Sequence, residues 1–312
     1  MELESTPGSS DVLTQVFRND RGLRAGWRLL IFFAIAIGIP RLVIWVIIRL
    51  SGRVAAGPPP TAIAPWPQLF NGCGVFLWVL LVTWIMSRIE HRPVGSYGLP
   101  LVRGAVPRFL SGYLLWGFLP ITLVLLVLRA CGVFFFGSLA LHGWQILQWG
   151  AIWALVFLFV GLVEEFATRG YVLQTLADGI GFWPAAIVMA VVFGYGHMGN
   201  PGETRVGIVA TCLFAIFACA TIWRTGNLWL AVGAHAGWDW GQSFFYGVSD
   251  SGLQAQGHLL EPTIQGPIWL SGGTVGPEGS VVTLVFWLLM TVAVLVVYRP
   301  RGPALVLSDA KR

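Results

Sequence analysis

Six residues in the second half of this 312-residue chain have types suited to moving protons or holding charge: Glu164, Glu165, Arg169, His197, His235 and Asp239. They fall in three short runs embedded in apolar sequence. The runs are Glu164-Glu165-Phe166-Ala167-Thr168-Arg169-Gly170, Phe193-Gly194-Tyr195-Gly196-His197 and Gly233-Ala234-His235-Ala236-Gly237-Trp238-Asp239. Carboxylates and imidazoles are the usual acid–base groups of a site. Inside an apolar segment they are costly unless they are paired or face a polar cavity, which makes them functional candidates.

Their spacing separates the roles. On a continuous helix Glu165 and Arg169 are four residues apart, share a face and have the acid on the N-terminal side, so they read as an internal ion pair. Glu164 is rotated about 100° from Glu165 and has no such local partner, which leaves it the freer carboxylate. The turn after this helix lies around Gly179, Ile180 and Gly181. From Ile180 it is 16 residues back to Glu164 and 17 forward to His197, so in an antiparallel pair of regular helices the two side chains sit at one depth. His235 and Asp239 again share a face. Gly233, Gly237 and Gly241 recur on roughly the opposite face, where small residues let another helix approach closely. Taken singly, a buried His can simply bond a carbonyl and a Glu-Arg pair can be purely structural. Three such interruptions in neighbouring segments point to one shared site.

The elements that must position these groups are membrane helices. The chain is 56% hydrophobic and only 11% charged, too little polar material to cover a soluble globule of this size. Apolar runs place spans near Trp27–Leu50, Phe70–Met86, Phe109–Leu128, Ile146 to about Leu176, Phe182–Met198, Val206–Trp223, Leu228–Tyr246 and Val281–Tyr298. The expected fold class is therefore all-α, a polytopic membrane protein of about eight transmembrane helices. Residues 25–299 read as one membrane domain, with cytoplasmic tails at 1–24 and 300–312. Arg41 stands alone in the first span and reads as snorkelling or pairing locally.

Charge placement orients the bundle. Arg18, Arg21 and Arg24 precede the first span, Arg88, Arg92, Arg103 and Arg108 surround the second loop, and Arg299, Arg301, Lys311 and Arg312 follow the last span. The segments from Cys131 to Trp144 and from Gly247 to Ser280 hold no Lys or Arg, and the second carries Asp250, Glu261 and Glu278. By the positive-inside rule this predicts a multi-pass protein of the inner (plasma) membrane with both termini cytoplasmic and those two loops outside. The polar start of the chain lacks a cleavable leader pattern, so the first span is expected to be the insertion signal. Ala56–Pro67 and Gly266–Gly279 read as external loops. Cys73, Cys131, Cys212 and Cys219 lack CxxC spacing and read as small packing residues, not disulfides or a thiolate metal site. The net charge of +5 comes with no dense basic run, so nucleic acid is not an expected partner. Membrane lipid and a peptide or membrane-protein substrate are. No internal repeat suggests a transporter built from duplicated halves.

Glu-Glu-x-x-x-Arg, Phe-x-x-x-His and His-x-x-x-Asp, in this order on about eight spans, resemble the CAAX prenyl protease and bacteriocin-processing family, also called CPBP or Abi, with the core of the resemblance at about 146–246. The resemblance implies an intramembrane endopeptidase with Glu164, His197, His235 and Asp239 as catalytic residues and Glu165 and Arg169 supporting them. Thr168 stands where the family often has Phe, and Asp239 where it often has Asn. In a metal-free version Glu164 is the general base on a water oriented by His197, while His235 and the last residue stabilise the oxyanion. An ionised Asp cannot donate as Asn does, so Asp239 would be protonated or orient His235. In a metalloprotease version His197, His235 and a carboxylate, drawn from Glu164 and Asp239, hold Zn²⁺ as cofactor. Both versions are open at this point. The alternative from another class is a non-enzymatic binding or immunity scaffold using the same polar cavity, and nothing in the sequence selects a prenyl group.

Overall fold

A computed structural model describes residues 16–19, 22–52 and 62–299. Arg21, Arg301, Lys311, Arg312 and the first part of the Pro-rich loop lie outside the described residues. The helices are α1 (Ala25–Ser51), α2 (Pro65–Ile89), α3 (Ala105–Ala130), α4 (Trp144–Arg169), α5 (Tyr171–Ile180), α6 (Phe182–Gly196), α7 (Arg205–Thr225), α8 (Trp229–Asp239) and α9 (Val281–Val297). Five stretches are long and apolar enough to cross a membrane: α1, α2, α3, α4 continued by α5, and α7. The protein is an all-α polytopic membrane protein. The figure of eight spans is reached only by counting α6, α9 and α8 with its continuation over Trp240–Phe245 as further crossings.

Local departures from regular helix have local causes. Wide turns occupy Ala34–Gly38 in α1 and Gly112–Phe118 in α3, and a proline, Pro40 or Pro120, stands two residues beyond each. Proline cannot donate to the carbonyl four residues back and its ring crowds that carbonyl, so the helix widens there. The sequence expected an unbroken helix from Ile146 to about Leu176. Instead α4 stops at Arg169, Gly170 takes φ −74° and ψ −110°, and α5 restarts at Tyr171.

Glycines decide how closely the helices approach. A Cβ at Gly233 would collide with the carbonyl oxygen of Phe109, and one at Gly237 with that of Tyr113. From the other side, Gly112 and Gly117 of α3 face the carbonyls of Leu230 and Ala234 just as tightly. α3 and α8 therefore touch backbone to backbone, the packing that small residues permit in membranes. On another face of α8, Gly161 brings α4 in: a Cβ there would stand 2.9 Å from the Val232 carbonyl oxygen and 3.5 Å from the His235 Cβ. Gly161 lies one turn before Glu164, so this contact sets the acidic pair beside His235.

The two ends of the bundle differ. At one end Arg28 of α1 reaches Glu90 at 2.7 Å and Asp178 at 3.0 Å, and Arg92 reaches Asp178 at 3.4 Å. The Tyr97 hydroxyl donates to Glu90 at 3.1 Å, and Tyr171 also donates to it. At the other end Phe134–Leu139 pairs antiparallel with Leu260–Ile264, and Ala62–Ile63 pairs parallel with Gln254–Ala255. These short ladders tie three loops into a cap over that end.

One sequence expectation narrows on inspection, to snorkelling for Arg41, and another changes for Cys131. Arg41 lies on the outer surface of α1 with no ion pair among the described residues. All four cysteines are free, but Cys131 is exposed and so is not a packing residue, whereas Cys219 is fully buried.

Candidate active site

The three motif runs meet around one cavity of about 340 Å³. Glu164, His197, His235 and Asp239 all line it, while Glu165 and Arg169 stand behind. Glu165 is fully buried. Its two carboxylate oxygens are spent on the Arg169 guanidinium at 2.8 Å and on His235 Nδ1 at 2.9 Å. The guanidinium is sealed in by the rings of Phe193 and Phe214, 4.6 Å and 5.8 Å from its carbon. Thr168, at the position where the resembling family often has Phe, accepts from Arg169 Nη1 at 3.1 Å and donates to the Glu164 carbonyl. A polar residue there gives the arginine a further hydrogen bond, where a Phe would have supplied only surface.

Glu164 has the opposite environment, with 35% of its side chain exposed. Its Oε2 lies 3.7 Å from His235 Nε2 and 3.9 Å from His197 Nε2. These gaps are too long for direct hydrogen bonds and leave room for a small reacting group between them.

The imidazoles are fixed from behind. His197 follows the last residue of α6, and its Nδ1 lies 2.8 Å from the carbonyl of Phe193, one of the helix-end carbonyls that lack an intrahelical partner. A carbonyl only accepts, so Nδ1 carries the proton, and in the neutral ring Nε2 presents a lone pair to the cavity. Glu165 imposes the same tautomer on His235. A second proton on His235 Nε2 would point at Glu164 and at Asp239 Oδ2, which is 3.6 Å away. Asp239 is nearly buried, with this ring as its nearest ionisable partner.

The zinc version of the site finds no support in this arrangement. Among the described residues no group of three or more His, Cys, Asp or Glu side chains could hold a metal ion. The separations of 3.6, 3.7 and 3.9 Å all exceed the edge of about 3.3 Å expected between donors that share one tetrahedral zinc.

Several lining residues were not singled out by the sequence. Asp250, Ser251 and Glu278 come from the long loop after α8, Asn200 from the turn after His197, and Gln68 from the start of α2. Asp250 and Glu278 were visible only as acids in a loop free of Lys and Arg. Their distance along the chain from every motif hid their place in the cavity. Ser243 donates to Asp250 at 2.9 Å, and Glu278 accepts from the Ser251 N–H at 2.5 Å. Burial pushes the Asp250 carboxyl up to about 6, against the opposing effect of the Ser243 hydrogen bond. Burial also holds Glu278 well above the usual carboxylate range, with Asp250 adding to it. Asn200 is tethered to His197 by its backbone N–H at 3.0 Å, and its side-chain amide makes no hydrogen bond among the described residues.

No curated protein and no solved structure matches the chain. Residues 146–241 match a family model described as type II CAAX prenyl endopeptidase, Rce1-like, and that segment runs from the start of α4 to just past Asp239. All six motif residues lie inside it, and over that segment the chain is similar to the CAAX protease family.

Proposed function

We propose that the protein is an intramembrane endopeptidase that cuts a membrane-associated protein or peptide, with Glu164 as the general base. The observation that carries this reading is the contrast within the acidic pair. Glu165 is consumed by Arg169 and His235, while Glu164 faces an open cavity with two imidazole Nε2 atoms turned toward it. A base must be reachable by substrate and water, and only one of the two carboxylates is.

In this reading a water in the cavity gives a proton to Glu164 as its oxygen attacks the scissile carbonyl carbon. His197, whose Nε2 can only accept in the neutral ring, orients that water. The tetrahedral oxyanion is stabilised by His235 carrying a proton on Nε2, which Asp239 holds in place, and by the side-chain amide of Asn200. The C–N bond then breaks, and the proton on Glu164 passes to the departing amine nitrogen. A carboxylic acid and an amine are released and Glu164 is again a carboxylate. Asp239 thus need not donate. It acts through His235, which removes the difficulty that an Asp in place of Asn posed. Glu165 and Arg169 are positioning residues, since they touch the imidazole and not the reacting atoms.

The test compares peptide termini from membranes of cells expressing either the wild-type chain or Glu164→Ala at matched protein levels. New termini confined to the wild type are the expected result. Identical termini, in cells where the chain's biological effect is present, would favour a binding scaffold instead.

A further inference from the structure

The end of the bundle whose loops line the cavity bears on which substrates can reach it. Followed from Ala25, the chain defines two ends. One holds the cluster of Arg28, Glu90 and Asp178, together with the 90–104 loop flanked by Arg88 and Arg108 and the 226–228 turn, where Trp229 Nε1 donates to the Pro100 carbonyl. The other holds the 131–143 and 246–280 loops, which carry no Lys or Arg. That second end has Arg49, Arg53, Arg129 and Arg205 in the sequence, fewer basic residues than precede α1, flank the 90–104 loop and follow α9. The positive-inside rule assigns the arginine-rich end to the cytoplasm.

Every loop residue that lines the cavity comes from the second end. Ile63 precedes α2, Asn200 lies between α6 and α7, and Asp250, Ser251, Leu253 and Glu278 belong to the 246–280 loop. No residue of the 90–104 or 226–228 segments lines it.

The length of α6 gives an independent reason. It starts at the arginine-rich end and has 15 residues, so it rises only about 22 Å, short of a hydrocarbon core of about 30 Å. His197 and the turn after it therefore lie within membrane depth on the far side. Non-helical backbone at that depth is tolerated where it is buried in protein or lines a polar cavity. Here the turn carries His197 and Asn200 into the cavity wall.

We infer that the cavity is served from the face of the membrane opposite the arginine-rich end, so that its substrate is a peptide segment on the external side or in the outer leaflet, not a cytoplasmic tail. This rests on the proteolytic reading for the word substrate, but the sidedness of the cavity does not.

Two measurements separate these claims. In a Cys131→Ser background, Ser251→Cys at the cavity wall is expected to react with a membrane-impermeant maleimide in intact cells. Val102→Cys in the 90–104 loop is expected to react only after permeabilisation. The reverse pattern overturns the inference. If the Ser251 variant does not accumulate, native Cys131, exposed at the same end, replaces it: Cys131→Ser should abolish surface labelling of the chain, and labelling of Cys131 only after permeabilisation overturns the assignment. The second measurement maps the Glu164-dependent termini. Their clustering in external segments is the expected outcome, and cuts in cytoplasmic tails refute it. If no Glu164-dependent termini appear, proteolysis fails as a reading while the labelling still decides which face the cavity serves.

Discussion

Two buried polar clusters can be compared, one at each depth of the bundle. In the first, Arg28 and Arg92 face Glu90 and Asp178 with shortest contacts of 2.7 to 3.4 Å, and two tyrosine hydroxyls supply further hydrogen bonds. Charges balance, and every carboxylate is held by a cation. In the second, Glu164, His197, His235 and Asp239 stand 3.6 to 3.9 Å apart around a cavity, and only the two imidazoles are bonded on their far sides. A structural ion cluster recovers its desolvation cost by closing on itself. A site leaves that cost partly unrecovered and keeps polar atoms available to something else. The contrast is one of closure, not of composition, since both clusters are built from carboxylates and basic groups.

The largest expected effect lies on the open cluster. Glu164→Gln keeps the shape of the side chain but cannot take a proton, and should slow formation of the chain's proteolytic termini by about 10²–10⁴-fold, the usual worth of a general base. Its unfolding temperature in detergent should stay close to that of the wild type, because Glu164 closes no buried pair. Arg169→Met tests the layer behind. It strands the buried Glu165 carboxylate and should cost about 3–5 kcal/mol of stability, read as a lower unfolding temperature in detergent, with proteolysis lost in step. An unaltered melt would remove the positioning role given to this pair.

Asn200 sharpens the comparison inside the cavity. Asn200→Ala and Asn200→Asp should both slow the termini by about 10²-fold, as loss of an oxyanion donor does, and Asn200→Gln should recover part of the rate. Equal rates in all three would exclude the amide as a donor. On the closed cluster, Glu90→Gln should cost about 2–3 kcal/mol through weakened charge-assisted bonds. Proteolysis per folded molecule should not change. A selective loss of activity in this variant would erase the distinction between the two clusters.

The smallest effect concerns pH. Folding holds the Asp250 proton up to about pH 6, whereas the ordinary carboxyl loses it near 3.8. The folded chain therefore binds more protons in that window, and stability falls as pH rises through it. Unfolding temperatures of Asp250→Asn should vary less between about pH 4 and 6 than those of the wild type. If the two profiles run parallel, Asp250 does not titrate in that window.

The parts of the site legible in the sequence are those encoded at helical spacing. The Glu165–Arg169 contact spans four residues, as does the contact between His235 and Asp239. The glycine stripe of α8 was equally readable, and α3 now fills the face it leaves. The depth match of Glu164 and His197 comes from counting about Ile180, and the two side chains lie 3.9 Å apart although the counting assumes regular helices. What could not be read is α4 breaking at Gly170, since a single glycine does not by itself announce a chain break.

The sequence alone determined that the chain lives in lipid, which residues are ionisable within it, and which of them share a helix face. Hydropathy and the 3.6-residue period are local properties, and local properties survive in a string of letters. The 3.6-residue period already marked Glu164 as the freer carboxylate, but only the tertiary structure decided that Glu165, 70 residues from His235, bonds its Nδ1. It also folded Asp250 and Glu278 over the cavity from a loop whose sequence spoke only of topology. Those choices depend on how closely backbones approach at Gly161, Gly233 and Gly237, and that distance is set by the partner helix as much as by the glycine.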